Sequence, residues 1–574
     1  MNADVRNIAL CLLVPAAAGA LAMPWAEAGC IDDFSYIHMA KTLAETGRFA
    51  YNGWPTAILG AQVWWGAAWV WLFGFSFAIV RASVIPLALG AVVLMYLIAR
   101  RARLSPGDSL FVALLIALST LFLPLLPTFM SDLPALFFLL ASLLGFSMAA
   151  DAADRGSGWR PLAWLAAGTC FGLIGGTIRQ PVWFVPVACA VVLVVRRSGG
   201  GLFRAAAAVA AAAGLAVIVL GTRWFNRQPY AIPTRMPPLA AMMTSGEAGA
   251  LLGAAVMVAA ECAQKVLPAV LFRLPWVWRH ACEAVRHKAG RLAAWVTAGA
   301  IAAVLAGTVT GGGEAVLSLL GGGWRPTGHL FHDVAVGVIR GGVLGLLAAV
   351  VLAAVTAWRH SRTTAAAGAR LPAALILPLV AVVPYGLSLL LVSWTTGAIF
   401  PRYYLPILPA VAVAMLFATR SPPASGWGRS DLWPVLGWLL VGFFAARGVA
   451  IVHDEFADTR ARLAAIRWLE ARGVPRHRIA SKWVIDGWVQ IERRGYMNDS
   501  RIRVPADAYD PAVPRPYPDE LFRDKLPGVE PDYIVASARD NFPGAMENVP
   551  RFSYLAWRQP PFRREIIIHG PPIP

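Results

Sequence analysis

The residues best suited to chemistry in this sequence are acids and arginines placed beside long apolar runs. Cys30-Ile31-Asp32-Asp33-Phe34-Ser35-Tyr36 sets two adjacent carboxylates just beyond the first such run. Charge there is costly unless solvated, paired or bound to a cation. One acid can act as general base on an incoming hydroxyl while the other holds a metal or orients the substrate. Ser131-Asp132-Leu133-Pro134 brings a third acid to a run end, able to divide base and orienting roles with the first two. The competing reading for each is a helix N-cap that accepts backbone N–H bonds. Complementary cations stand in Arg179-Gln180-Pro181 and in Phe400-Pro401-Arg402-Tyr403-Tyr404. A guanidinium is a permanently charged planar fork suited to phosphate, although an interfacial Arg also simply snorkels to headgroups. Arg223, Arg227 and Arg235 lie in a long loop with nothing to distinguish them.

The elements that must position these groups are membrane spans. Apolar runs long enough to cross a bilayer predict about 13 helices, over 7–24, 79–99, 107–123, 132–150, 162–178, 181–195, 203–221, 250–272, 292–309, 336–357, 372–394, 403–419 and 432–450. Lys and Arg concentrate in alternate loops, so the N-terminus reads as cytoplasmic; an odd number of spans then puts residues 451–574 outside. The first run also has a signal-like end, Ala26-Glu27-Ala28, open to cleavage after Ala28 or to use as an uncleaved anchor. The segment 25–78 that follows it carries the paired acids, and four tryptophans, Trp64, Trp65, Trp69 and Trp71, fit an interfacial belt. After residue 450 charges of both signs become frequent. Asp458–Arg472 predicts an amphipathic helix stopped by Gly473, and short β-like runs follow at 479–484, 533–536 and 565–569. The expected fold is thus an all-α polytopic membrane domain over 1–450 with a small C-terminal α/β soluble domain over 451–574.

Composition closes other routes. With 58% hydrophobic and 14% charged residues and a mean hydropathy of +0.60, a soluble multidomain enzyme is excluded. The net charge of +18 comes from basic loops between apolar runs, with no basic-aromatic face for nucleic acid. Six cysteines show no paired spacing for a disulfide framework or a metal site. Asp-x-Asp, Gly-x-Gly-x-x-Gly after a strand and a Walker loop are all missing, so a soluble nucleotide sugar is not the expected donor. Glu261 and Lys265 share a helical face and can pair, and His329, His332 and Asp333 form either a metal site or a solvated loop. A transporter or flippase for a lipid-linked or small polar substrate is the main rival; it is expected to show repeated halves with broken helices, which the sequence lacks. A noncatalytic membrane scaffold is the third reading.

Taken in order, Asp32-Asp33 with Tyr36, the Gly47 to Gly74 segment before Arg81, Ser131-Asp132-Leu133-Pro134, Arg179-Gln180 and Arg402-Tyr403-Tyr404-Leu405-Pro406 resemble the integral-membrane GT-C glycosyltransferases. The branch they are most similar to holds bacterial protein O-mannosyltransferases, lipid A aminoarabinose transferases and rhizobial lipopolysaccharide sugar transferases. The resemblance spans residues 1 to about 450. It implies a polyprenyl-phosphate sugar donor held among membrane lipids, a lipid-linked, glycan or protein acceptor, and a location in the bacterial inner membrane. It implies catalytic roles for Asp32 as base and for Asp33 and Asp132, and a donor-phosphate role for Arg402 with Tyr403 and Arg179. Some relatives use a divalent cation and others do not, so the resemblance leaves the metal open. The chain departs from the family in lacking a Glu at the second acid and a Pro-Pro pair near Trp54-Pro55, which leaves the substrate open too.

Overall fold

The structure is a computed structural model and describes residues 2–233, 262, 265–273, 371–396, 400–419, 432–511, 523–538, 542, 544–546, 549–558 and 561–572. Helix α1 (Ala3–Leu21) opens on Asn2, whose side chain accepts the Asp4 N–H, a cap worth about 1 kcal/mol. Helix α2 (Asp33–Thr46) stops at Gly47, where φ of +68° suits only a residue without Cβ strain. Helix α3 (Gly60–Phe73) buries Val63, Ala67 and Val70 and exposes Trp64, Trp65, Trp71 and Phe73, the pattern of a helix lying along a membrane interface. Helices α4 (Phe77–Ala82) and α5 (Val84–Arg101) form a nearly continuous apolar stretch that closes on Arg100 and Arg101. Helices α6 (Pro106–Ala117), α7 (Asp132–Asp154), α8 (Arg160–Ile178), α9 (Phe184–Val195) and α10 (Gly201–Phe225) follow, then α11 (Ala373–Thr396), α12 (Leu408–Ala418), α13 (Leu432–Glu470) and α14 (Trp483–Arg494). The hub is α7, packed against α5, α8, α9 and α11. A Cβ on Gly145 would stand 2.7 Å from the Gly168 backbone, so two glycines permit the close approach of α7 and α8.

Among the described residues, six helices are long and apolar enough to cross a membrane, including Phe77–Arg101, Asp132–Asp154 and Gly201–Phe225, and four shorter apolar helices accompany them. The chain is therefore a multi-pass membrane protein. The described residues do not establish the expected count of about 13. Of the run 250–272 only Cys262 and 265–272 are described, and 292–309 and 336–357, with Glu261, His329, His332 and Asp333, lie outside the described residues.

Two boundaries differ from expectation. The helix expected over 107–123 ends at Ala117, because Ser119 Oγ accepts the Phe122 N–H at 3.2 Å and Pro124 follows in a short 3₁₀ turn. The chain from 118 to 131 runs on as largely buried irregular backbone and carries Asp132 into the protein. The span at 432–450 and the amphipathic helix at 458–472 are a single helix, α13, of 39 residues. At 1.5 Å per residue it extends about 58 Å, twice the hydrocarbon thickness, so one rod joins the two domains.

The C-terminal domain is a four-stranded sheet of order β1-β2-β4-β3, from β1 (Ile479–Ala480), β2 (Tyr533–Ser537), β3 (Phe552–Leu555) and β4 (Arg563–His569). The first pair is parallel and the other two antiparallel. The run expected over 479–484 shortens to two residues, since α14 begins at Trp483. Ile466 and Leu469 of α13 pack with Ile485, Val535, Ile566 and Ile568 into its core.

Candidate active site

Three consecutive residues, 32 to 34, enter three different environments. Phe34 is fully buried in the core of the C-terminal domain, with its ring 5.9 Å from that of Trp483. Asp33 turns into the membrane domain. Its Oδ2 accepts from Arg81 Nε at 2.9 Å and from the Phe129 N–H at 3.1 Å, and its Oδ1 accepts from the Cys30 N–H at 2.6 Å and Arg81 Nη2 at 3.4 Å. Those four donors fill the acceptor capacity of a carboxylate. Arg81 is just as fully engaged, donating to the carbonyls of Ala26 and Ala28 and lying 5.3 Å from the Phe456 ring. Asp33 was expected to share in catalysis; in the structure its four donors come from Arg81, Phe129 and Cys30, so it clamps these segments together.

Asp32 sits at the N-cap position of α2 but makes no capping hydrogen bond. Its carboxylate faces the other way, into a row of alternating charges. Oδ2 accepts from Arg402 Nη2 at 3.0 Å; Arg402 Nε stands 3.9 Å from Asp132 Oδ2; Asp132 Oδ1 accepts from Arg179 Nη1. The four residues come from four segments: the start of α2, the 3₁₀ turn Pro401–Tyr404, the first residue of α7, and the extended residue that ends α8. The Tyr403 ring lies 4.5 Å from the Arg179 guanidinium and 5.5 Å from that of Arg402, and the Phe400 ring lies 4.4 Å from Arg402. Such contacts hold a guanidinium in place without consuming its N–H donors.

Two polar atoms in this row are unsatisfied. Asp132 Oδ2 and Arg402 Nε are both buried and have no hydrogen-bond partner among the described residues. They face each other across a gap too long for a hydrogen bond. Burial pushes the proton affinity of Asp32 above the ordinary carboxylate value. Arg402 and the Trp54 N–H oppose that shift, while Asp33 and Asp132 add to it. The Tyr36 phenol, buried near Asp32, is pushed up and stays neutral.

A small, largely enclosed apolar pocket, with room for little more than one water, is lined by Met95 and Ile98 of α5, Leu139 and Leu143 of α7, Val382 and Tyr385 of α11, and Pro406 and Pro409 at the start of α12. Tyr385 belongs to both features, since its phenol lies in the electrostatic field of Arg179, Asp132 and Tyr403.

The structure thus brings Asp32, Asp132, Arg179, Arg402 and Tyr403 together and leaves Asp33 apart. Arg223 and Arg227 are exposed, and Arg235 lies outside the described residues. Lys265 donates to Thr120 Oγ1 at 3.0 Å, and its expected partner Glu261 lies outside the described residues. Sequence reasoning missed Tyr385, Trp54 and the clamp role of Arg81. A phenol within an apolar run was a readable signal for the first; nothing in the spacing marks Trp54. No group of three His, Cys, Asp or Glu side chains suited to a metal occurs among the described residues. With both Asp32 and Asp132 already facing guanidinium groups, the donor set fits an anion better than a divalent cation.

No family model matches this chain, and no curated protein matches it. Two solved structures are similar to it. The crystal structure of ArnT from Cupriavidus metallidurans in the apo state shares 14% identity over 98% of this chain and 99% of that one, at a TM-score of 0.38. The same protein bound to undecaprenyl phosphate shares 15% identity over 98% and 99%, at a TM-score of 0.36.

Proposed function

We propose that this chain is a glycosyltransferase of the bacterial inner membrane with its C-terminal domain in the periplasm. In this reading it moves one sugar from a polyprenyl phosphate to a hydroxyl of a lipid-linked, glycan or protein acceptor. The observation that carries the reading is the row Asp32, Arg402, Asp132, Arg179, with unpartnered buried atoms at its centre. Charges gathered at the end of a membrane helix are expensive to keep without a use. Two guanidinium forks suit a phosphate, and the apolar spans around them keep a polyprenyl tail in the bilayer.

The chemistry follows from competition for Arg402. Without donor, Arg402 holds Asp32. A phosphate placed between Arg402 and Arg179 draws the first guanidinium away and frees Asp32 Oδ2. Losing that cation in a buried setting raises the carboxylate's proton affinity further, toward the value a base needs near neutral pH. The acceptor hydroxyl gives its proton to Asp32 as its oxygen bonds to the anomeric carbon. The bond from that carbon to the phosphate oxygen breaks, and its electron pair leaves with the polyprenyl phosphate, whose charge Arg402 and Arg179 stabilise. Attack from the face opposite the phosphate inverts the anomeric centre.

The test is Asp32→Asn in proteoliposomes supplied with radiolabelled undecaprenyl-phosphate hexoses and pentoses. A positioned base contributes about 10²- to 10⁴-fold, so label in the acceptor should fall by that factor. Retention of most transfer removes Asp32 from the role, and label carried unchanged across the bilayer identifies a transporter.

A further inference from the structure

The segment opposite Asp32 is held from three sides. Asn52 is buried and exchanges hydrogen bonds with Ser35 of α2: Ser35 Oγ donates to Asn52 Oδ1 at 2.7 Å and Asn52 Nδ2 donates to the Ser35 carbonyl at 2.9 Å. The Asn52 carbonyl accepts the Met497 N–H of the C-terminal domain at 2.8 Å, and the Gly53 N–H donates to the Tyr230 carbonyl after α10 at 2.8 Å. Gly53 is at φ +79°, and a Cβ there would come within 2.5 Å of the Met497 carbonyl oxygen, so the approach requires glycine. This pinned turn presents Trp54, whose Nε1–H donates to Asp32 Oδ1 at 3.3 Å. The indole is in turn flanked by two groups of the C-terminal domain, the Trp483 ring at 4.8 Å and Lys525 Nζ at 5.4 Å from its centroid.

We propose that the C-terminal domain is a working part of the reaction centre: Trp483 fixes the indole of Trp54, and Trp54 as a positioning residue fixes the carboxylate of Asp32. The assignment rests on Asp32 being the base. Asp32 Oδ2 is committed to Arg402 and, during turnover, to the acceptor proton. Oδ1 is the oxygen left to define the plane of the carboxylate, and Trp54 supplies its hydrogen bond. A bonded Oδ1 keeps Oδ2 aimed at one point, and small misplacements of a reacting group cost large factors in rate. Trp483 also packs on Phe34, two residues past Asp32, so the same side chain steadies both the base's backbone and its hydrogen-bond donor.

The experiment uses the full chain, labelled with 5-fluorotryptophan and purified in detergent. The resonance lost in Trp54→Phe is assigned to Trp54, and its position is followed against pH. The groups facing Asp32 are Arg402, Asp132, Asp33, Tyr36 and Trp54, of which Asp32 is the one bonded to the indole. The expected result is a titration of the Trp54 signal that disappears in Asp32→Asn and is broadened or displaced in Trp483→Leu. Transfer assays on the same proteins should show kcat reduced about tenfold in Trp54→Phe and Trp483→Leu with KM within about twofold, and near-normal kcat in the conservative Trp483→Phe. The acid limb of the rate should move to higher pH in Trp54→Phe, since the lost N–H favoured the charged carboxylate. A Trp54 signal indifferent to Asp32→Asn, or unmoved by Trp483→Leu, overturns the relay. Wild-type protein that transfers no sugar sinks the transferase reading alone, because the fluorine titration still decides whether the relay exists.

Discussion

Asp32 and Asp33 are neighbours in sequence, both held beside arginine, and yet they are opposite kinds of ion pair. Asp33 and Arg81 pair with one another, and backbone groups take the rest of the carboxylate's acceptor capacity and accept two of the guanidinium's bonds. Around Asp32 the row is longer than its hydrogen bonds can close, and Asp132 Oδ2 and Arg402 Nε are left facing a gap. The lesson is that burial and pairing alone do not mark a functional acid. Asp33 is the more buried of the two, and it is the incompleteness of the other network on which the proposed substrate site rests.

The sharpest way to break this comparison is to remove one partner from each pair. Arg81→Ala leaves a carboxylate fully buried without its cation and should cost about 3–5 kcal/mol of stability, read as a large fall in Tm or a loss of folded protein in detergent. Replacing both partners with apolar side chains, Asp33→Leu with Arg81→Met, should recover much of that loss. Asp32→Asn is expected to behave in reverse, with Tm unchanged or raised while transfer collapses. Equal destabilisation by Arg81→Ala and Asp32→Asn would dissolve the distinction.

Much of this was legible in the sequence. The order of acids and arginines at run ends named every member of the charged row, because a charge beside a long apolar run is conspicuous. What the sequence could not show is which of two adjacent acids faces which partner. That choice is made by the α2 backbone, which splits residues 32 to 34 among three environments, and by Arg81, distant in sequence and marked only as a lone cation in an apolar run. The end of α6 was misread because Leu121, Phe122 and Leu123 continue the apolar pattern, while Ser119 and Pro124 decide the backbone. The strand at 552–555 escaped notice since four residues after Pro550 carry too short an alternation to read, and its pairing with β4 is what makes it a strand.

A smaller effect separates the two acids by pH. For a base, the rate falls as pH drops through the carboxylate's proton affinity in the folded protein. Burial raises that of Asp32, so the acid limb of kcat/KM should lie above the ordinary carboxylate range near 4. Arg402 opposes the shift, so Arg402→Gln should move the limb higher still while lowering the rate. A limb at the ordinary carboxylate value, or one that moves down in Arg402→Gln, would assign the titration to another group.

The smallest effect is expected at a third ion pair, which, unlike the first two, links a helix of the membrane domain to one packed with the C-terminal sheet. Lys41 of α2 and Glu492 of α14 are 2.8 Å apart, with side chains 23% and 41% exposed. Solvent at that exposure screens the attraction, and holding two long side chains in register costs entropy, so the pair should contribute about 0.2–1 kcal/mol, falling with added salt. Lys41 Nζ also lies 5.3 Å from the Phe75 ring and 5.4 Å from that of Trp488. Lys41→Met keeps the stem and removes the charge. It should lower Tm by no more than a degree or two and leave kcat unaltered, since α2 and α14 are already locked at their other end by Phe34 and Trp483. A cost above about 2 kcal/mol would show that the domains depend on charge along the whole length of that contact, and then the Phe34–Trp483 packing could not by itself be what locks α2 to α14.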